Sequence, residues 1–181
     1  MLMIKTYFVF DLDNTLIKTN RANNNSYIDA IFAVTGKTIQ IRKSRFTRAD
    51  LSSVLPHLPA AQISEIIKMK EKLYSKHLKE TSLNLQLVKC LKLLKCMGKE
   101  TILLTESRKK RALQVCDNYA ITEFFSQTYC LEDYGNGNKY QFLETLKMPM
   151  DSIVLFENER KELRKAMRYG ITESQIITIK F

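Results

Sequence analysis

The feature that most constrains this chain is a short apolar run that two carboxylates follow at once. Tyr7–Phe10 is rich in aromatic and β-branched residues, and Asp11, Asp13 and Thr15 come directly after it. Such a run, bounded by polar residues, predicts a strand buried on both faces of a sheet. Ligands of open α/β sheets bind at the carboxyl ends of strands, so Asp11 and Asp13 are expected to face one site. The alternative interpretation is a strand end with a structural Asp-Asn turn.

Apolar runs alternate with amphipathic segments along most of the chain. Strands are also predicted at residues 101–105, within 125–131, at 151–156 and at 175–180. Helices are predicted at residues 83–97, after Ser107, at 138–146 and at 163–169, and Ser107 is expected to cap its helix. Strands that alternate with helices predict an α/β fold with a Rossmann-like parallel sheet and helices on both faces.

A helical segment interrupts this alternation directly after the first strand. Residues 27–34, 49–58 and 60–78 show the helical spacing of apolar residues, and Gly36 is expected to end the first of these helices. Residues 18–81 are therefore predicted to be all-helical, inserted between the first strand and the rest of the sheet.

Composition excludes several classes of protein. The chain has 181 residues, 45% of them hydrophobic, enough for one sizeable domain or a core with a small insertion. It contains no run of eighteen apolar residues, which predicts no membrane span, and Met-Leu-Met-Ile-Lys at its start lacks a signal-peptide pattern, so a cytoplasmic protein is expected. Without CxxC spacing, buried free thiols are expected rather than a zinc site at Cys90, Cys96, Cys116 and Cys130.

The net charge of +10 suits a negatively charged partner. The basic clusters at residues 42–45, 109–111 and 160–161 are interpreted as solvated surface, because no nucleic-acid motif accompanies them. Nucleic acid is therefore an unfavoured partner, whereas a small anionic substrate fits. His57 and His77 are expected to be surface or partly packed residues, so chemistry must rest on carboxylates, lysines and hydroxyls.

The order Asp-x-Asp-x-Thr after a hydrophobic strand resembles the first motif of the haloacid dehalogenase (HAD) superfamily. The helical insertion resembles the small cap that many members carry at this point. The resemblance implies a Rossmann-like core at residues 1–17 and 82–181 and an α-helical cap at 18–81. It also implies that Asp11 attacks phosphorus and that Asp13 serves as acid and base. The second carboxylate is typical of the phosphatases and is lacking in the dehalogenases of the superfamily.

Two further positions match the phosphate-binding motifs of the superfamily. Thr105 ends a predicted strand just before a helix, where a hydroxyl can donate a hydrogen bond to phosphate. Its neighbour Glu106 is an unusual member of such a site, because its charge repels phosphate unless it turns away. Lys139 follows a glycine-containing loop and can neutralise phosphate as a point charge; the alternative is a solvated surface lysine.

The fourth motif departs from the superfamily pattern. Its phosphatases usually place acidic residues after the fourth strand to hold Mg²⁺, and here the resemblance puts Asn158 at the direct ligand position and Glu162 at its partner. Asn158 offers a neutral oxygen, so the expected Mg²⁺ site, which also includes Asp11 and Asp13, loses one charge. Alternatively, the longer side chain of Glu157 reaches the metal, or these glutamates only form an acidic helix start.

The sequence thus predicts an HAD-like, Mg²⁺-dependent phosphatase that acts on a small phosphomonoester through an aspartyl-phosphate. The alternative hypothesis is a catalytically weakened HAD-like domain that binds a phosphorylated ligand or a protein partner, for which Glu106 and Asn158 are the reasons. The pattern specifies neither the substrate nor the oligomeric state.

Overall fold

A computed structural model describes the chain at residues 5–135 and 137–181. Residues 1–4, which carry part of the signal-peptide expectation, and Asn136 of the predicted glycine loop lie outside the described residues. Within the described residues, the strands are β1 (Tyr7–Phe10), β2 (Ile17–Lys18), β3 (Ser82–Leu83), β4 (Glu100–Leu104), β5 (Gln127–Tyr129), β6 (Ile153–Glu157) and β7 (Ile176–Thr178). The α-helices in the same part of the chain are α1 (Asn20–Thr35), α2 (Arg48–Val54), α3 (Ala60–Leu73), α4 (Leu85–Cys96), α5 (Lys109–Asn118), α6 (Leu131–Tyr134), α7 (Lys139–Thr145) and α8 (Arg160–Arg168). Short 3-10 segments cover Tyr74–Glu80, Thr122–Phe124, Met150–Ser152 and Glu173–Gln175.

Five of these strands form one parallel sheet in the order β5-β4-β1-β6-β7. The chain passes from β1 to β4 and β5 on one side of β1, and later to β6 and β7 on the other side. The carboxyl end of β1 therefore lies at the point where the strand order changes direction, which is where open α/β sheets bind ligands. The prediction of an α/β fold with a Rossmann-like parallel sheet is confirmed.

The central strand β1 is held on both sides by apolar contacts. Val9 and Phe10 are fully buried, and the ring of Phe10 stacks on that of Phe156 in β6 at a centroid distance of 4.3 Å. Residues of the sheet and its helices complete the core around β1, namely Ile102, Leu104, Tyr140, Leu143, Met148, Ile153, Leu155, Ala166 and Ile171. This packing fixes the end of β1, and so the direction in which Asp11 leaves the sheet.

The chain divides into two compact units, one containing the sheet and Leu83–Phe181, the other Lys18–Ser82. The second unit is helical and has its own core, formed by Tyr27, Ala30, Ile31, Phe46, Leu51, Leu55 and Ile66. Helix α1 begins at Asn20, so the polar stretch before residue 27, which the sequence allowed as a loop or a helix start, is a helix start whose polar side chains have partners. The Asn23 amide donates to the Phe46 carbonyl at 2.8 Å, and the Asn24 amide oxygen accepts from the Phe46 N–H at 2.8 Å. Gly36 ends α1 with a positive φ of 69°, as expected.

The cysteines and histidines differ in their surroundings. Cys116 and Cys130 are buried, Cys90 is half-buried and Cys96 is exposed, so the expectation of buried thiols is wrong for Cys96. His77 is partly packed, with its ring nitrogens 2.9 Å from an Asp29 oxygen and 3.0 Å from a Glu80 oxygen. No helix in the described part of the chain has both the length and the apolar character needed to span a bilayer.

Candidate active site

The loop after β1 holds Asp11 and Asp13 in a tight turn. The Asp11 N–H donates to the Phe156 carbonyl at 3.0 Å, so the chain still belongs to the sheet at this residue. Asn14 adopts a φ of 60°, in the left-handed region that asparagine tolerates. The Leu12 carbonyl accepts N–H groups at 3.1–3.3 Å from Thr15, Leu16 and Ile17. The turn buries the Asp11 carboxylate and leaves that of Asp13 15% exposed.

Both carboxylate oxygens of Asp11 accept hydrogen bonds. The Lys139 ammonium donates to Oδ1 at 3.1 Å, and the Thr15 hydroxyl donates to Oδ2 at 3.1 Å. Lys139 begins α7 and is only 2% exposed, which does not agree with the alternative of a solvated lysine. The structure thus brings the predicted nucleophile together with the predicted phosphate-neutralising lysine.

Both carboxylate oxygens of Glu157, at the end of β6, accept hydrogen bonds from neighbouring groups. Its Oε2 accepts from the Lys139 ammonium at 2.8 Å and from the Tyr140 hydroxyl at 3.2 Å. Its Oε1 accepts the N–H groups of Asn158 at 2.9 Å and Glu159 at 3.1 Å. Glu157 therefore orients Lys139 toward Asp11. Sequence reasoning missed Tyr140 because it lies on the apolar face of a helix, where its hydroxyl gives no signal.

Burial and charge set the protonation of this cluster. Burial raises the pKa of Asp11 well above its usual value, the charge of Glu157 raises it further, and Lys139 opposes both effects. Burial alone lowers the pKa of Lys139, but Asp11 and Glu157 more than offset this, so its pKa is raised and it stays a cation. When both carboxylates are ionised, they share one lysine, and one negative charge remains uncompensated.

The Asn158 side chain faces a group of oxygens. Its amide oxygen lies 3.0 Å from the Thr15 hydroxyl, whose single proton also points at Asp11. Exchanging the amide nitrogen and oxygen places the nitrogen 3.0–3.3 Å from the Thr15 hydroxyl, the Glu157 carboxylate and the Asp13 carbonyl. With the nitrogen turned toward these oxygens, the amide N–H groups satisfy them, and with the oxygen turned toward them, it accepts from the Thr15 hydroxyl.

These oxygens fit Mg²⁺ with a reduced charge. Among the described residues, no three His, Cys, Asp or Glu side chains converge on one point, so a metal would rely on neutral oxygens as well. The available donors are the Asp11 carboxylate, the Asp13 carbonyl and the Asn158 amide oxygen. Mg²⁺ commonly binds proteins through one or two carboxylates and keeps several waters, so this set suits it. When Asp11 and Glu157 are both ionised, the second negative charge beside Lys139 also favours a cation.

Glu106 and Glu162 are both held by Lys165. The Lys165 ammonium lies 3.2 Å from a Glu106 oxygen and 2.6 Å from a Glu162 oxygen. Glu106 is 55% exposed at its side chain, which agrees with the condition that its charge turns away from phosphate. The second oxygen of Glu162 is buried and has no hydrogen-bond partner in the described part of the chain. Lys165 therefore contacts both glutamates, and the phosphate role expected of Glu106 and the metal role expected of Glu162 stay predictions.

Asp13 is joined to the start of α5, and this contact corrects two expectations. Arg108 occupies the N-cap position of α5 without a capping hydrogen bond from its side chain, whereas the Ser107 hydroxyl donates to Asp13 Oδ2. Arg111 is 9% exposed and its Nη2 lies 3.2 Å from the same oxygen, so the prediction of a solvated cluster is wrong for Arg111. The Ser107 N–H also donates to the Thr105 hydroxyl oxygen at 3.1 Å. The sequence signal that could have indicated this contact is a serine and an arginine four residues apart, just after Thr105.

Comparison with known proteins agrees with this arrangement. A family model described as haloacid dehalogenase-like hydrolase matches residues 8–175. A haloacid dehalogenase-like hydrolase from Streptococcus pneumoniae is 22% identical, with a TM-score of 0.75 over 99% of this chain and 86% of that one. CbbY from Rhodobacter sphaeroides, solved in complex with phosphate, is 18% identical, with a TM-score of 0.80 over 99% of this chain and 87% of that one. A CbbY variant solved with xylulose-(1,5)bisphosphate has the same coverage, 17% identity and a TM-score of 0.80.

These structural likenesses, all below 25% identity, show a shared fold. No curated protein sequence matches the chain. The family model, by contrast, spans residues 8–175 of 181, which includes β1, the turn with Asp11 and Asp13, Lys139 and Asn158. The chain belongs to the haloacid dehalogenase-like hydrolase family.

Proposed function

We propose that this protein is a Mg²⁺-dependent phosphatase that hydrolyses a small phosphomonoester through an aspartyl-phosphate. The observation that carries the proposal is the buried Asp11 carboxylate at the end of β1, 3.1 Å from the Lys139 ammonium, with Asp13 two residues further on. A carboxylate beside a buried cation, at the switch point of a parallel sheet, suits attack on an anionic phosphoryl group.

In the first half-reaction, an Asp11 oxygen forms a bond to phosphorus while the bond between phosphorus and the leaving oxygen breaks. Asp13 gives its proton to that leaving oxygen, and the alcohol departs. In the second half-reaction, Asp13 takes a proton from water, the water oxygen bonds to phosphorus, and phosphate and the Asp11 carboxylate are released. Lys139 neutralises charge on the phosphoryl oxygens, and Thr105 can donate a hydrogen bond to them.

The Asp11 carboxylate, the Asp13 carbonyl and the Asn158 amide oxygen would hold the metal. When bound, Mg²⁺ supplies charge neutralisation at the transferring phosphoryl group. The phosphate and the sugar bisphosphate solved with CbbY, a fold relative, support a small phosphorylated substrate. The net charge of +10 suits such an anion as well. We further propose that the helical unit Lys18–Ser82 serves as the family's cap domain.

The test is hydrolysis of a panel of sugar phosphates and nucleotides, measured as released phosphate, with Mg²⁺ present. Asp11→Asn is expected to abolish turnover, because an amide cannot form the acyl-phosphate. Asp13→Asn is expected to slow turnover by roughly 10²- to 10⁴-fold, the usual contribution of a positioned acid–base group. Asp117→Asn changes an exposed carboxylate of α5 and serves as the matched control. Full activity of Asp11→Asn would refute the proposal.

A second candidate function follows from Asn158, whose neutral amide removes one charge from the metal site. A catalytically weakened domain of this kind would bind a phosphorylated ligand or a protein partner without turnover. Phosphate binding by titration calorimetry, together with no hydrolysis of any ester in the panel, would favour this function over the phosphatase.

A further inference from the structure

We propose that Ser107 and Arg111 form a clamp that fixes the orientation of the Asp13 carboxylate for proton transfer to the leaving group. The Ser107–Arg111 clamp makes Arg111 a positioning residue, since it acts through Asp13. The inference rests on the proposed phosphatase function and adds to it the residues that control its acid step.

Both residues of the clamp donate hydrogen bonds to the same oxygen of Asp13. The Ser107 hydroxyl and the Arg111 guanidinium both donate to Oδ2, the guanidinium at 3.2 Å, and the guanidinium also donates to the Ser107 oxygen. Three polar groups thus form a closed triangle of hydrogen bonds. Such a triangle restricts rotation of the Asp13 carboxylate, which a single exposed contact would not do.

The clamp is also buried, which distinguishes it from an ordinary surface ion pair. Ser107 is 1% exposed and Arg111 is 9% exposed. A buried guanidinium loses its hydration, so it is retained only where charged hydrogen bonds replace the lost water. Lys109 and Lys110, its neighbours in α5, are exposed, so the burial is specific to Arg111.

The backbone of Ser107 connects the clamp to Thr105, the residue directly after β4. Its N–H donates to the Thr105 hydroxyl oxygen at 3.1 Å, and its carbonyl accepts the Leu131 N–H at 3.1 Å. The clamp is therefore held by the end of β4 and by the segment after β5. Its position relative to Asp13 is set by the sheet itself, because β1 and β4 are neighbouring strands.

This geometry predicts a dependence on the leaving group. In the acid step the Asp13 O–H bond breaks, a new O–H bond forms on the leaving oxygen, and the electron pair of the broken P–O bond stays on that oxygen. An alkoxide needs this proton, whereas p-nitrophenolate is stable enough to leave without it. Loss of orientation at Asp13 should therefore slow alkyl esters far more than p-nitrophenyl phosphate.

The experiment compares kcat/KM for a primary alkyl phosphate and for p-nitrophenyl phosphate in the full chain with Mg²⁺. This ratio reports steps up to alcohol release and is independent of the later attack of water. For Arg111→Met, the alkyl ester should lose about 10- to 100-fold and p-nitrophenyl phosphate less than about threefold, the scale of a misplaced catalytic group. Ser107→Ala should act in the same direction, and Arg111→Lys, which keeps the charge, should recover part of the loss.

Lys110→Met is the matched control, since it removes an exposed cation from the same helix and should leave kcat/KM unchanged for both esters. Equal losses for the two esters in Arg111→Met and Ser107→Ala would overturn the clamp while leaving the phosphatase function intact. If Arg111→Met does not fold, Arg111→Lys takes its place in this comparison. An equal loss of kcat/KM for the two esters in Arg111→Lys would then also overturn the clamp. If the wild type hydrolyses neither ester, the proposed function fails, and the clamp fails with it.

Discussion

Replacement of Lys139 by methionine should destabilise the protein and should do so in a pH-dependent way. Methionine is nearly as long as lysine, so the change removes one charge and little volume. Lys139 is the shared partner of Asp11 and Glu157, which are 7% and 1% exposed. Without Lys139, these two buried carboxylates lose the cation that they share.

The expected loss is about 3–5 kcal/mol in the free energy of unfolding, the usual cost of removing one partner of a buried ion pair. For a chain of 181 residues, this corresponds to a fall of about 6–20 °C in Tm. The pKa of Asp11 is raised above its unfolded value, and ionisation of such a carboxyl favours unfolding. The deficit of the variant should therefore be small at acid pH, where Asp11 is protonated in both folded proteins, and should grow as the pH rises through the raised pKa of Asp11.

Urea unfolding in metal-free buffer, followed by circular dichroism from pH 4 to pH 8, measures this effect. Lys147→Met, which changes an exposed lysine just after α7, is the control and should change the free energy by less than about 0.5 kcal/mol. The double variant Lys139→Met/Glu157→Gln should lose less than the sum of the two single losses, because the glutamine removes one of the stranded charges. Strict additivity, or a deficit that does not vary with pH, would refute the reasoning.

Three further outcomes follow from other parts of the structure. Asn158→Asp adds a carboxylate beside the metal donors, so titration calorimetry should show Mg²⁺ binding roughly tenfold tighter, and an unchanged affinity would contradict the assignment. Lys43 and Thr47 lower the pKa of Asp50 to about 2. Its stabilisation should therefore be present above about pH 4 and be lost toward pH 2, and Asp50→Asn should erase that dependence in urea unfolding. Burial raises the pKa of Cys116 to about 12, so mass spectrometry at pH 8 should find exposed Cys96 alkylated first and Cys116 only after unfolding.

The sequence by itself determined the class of fold and the place of the site. The run Tyr7–Phe10 is apolar throughout and is buried on both faces at Val9 and Phe10, so its composition alone predicts a central parallel strand. Residues that follow such a strand must lie at the carboxyl edge of the sheet, which located Asp11 and Asp13 without any knowledge of packing. Amphipathic spacing likewise indicated the helices of Lys18–Ser82, since their apolar faces repeat with the helical period.

Tertiary structure alone decided which polar groups meet at that edge. Arg111 and Asp13 are 98 positions apart, and Lys139 and Asp11 are 128 apart, so no local pattern relates them. Periodicity reports burial of apolar side chains and is silent about the partner of a charge. It therefore could not show that Lys165 pairs with Glu106, or that Arg111 contacts Asp13 and is not solvated. Those pairings depend on the order of the strands, which brings distant segments of the chain to one end of the sheet.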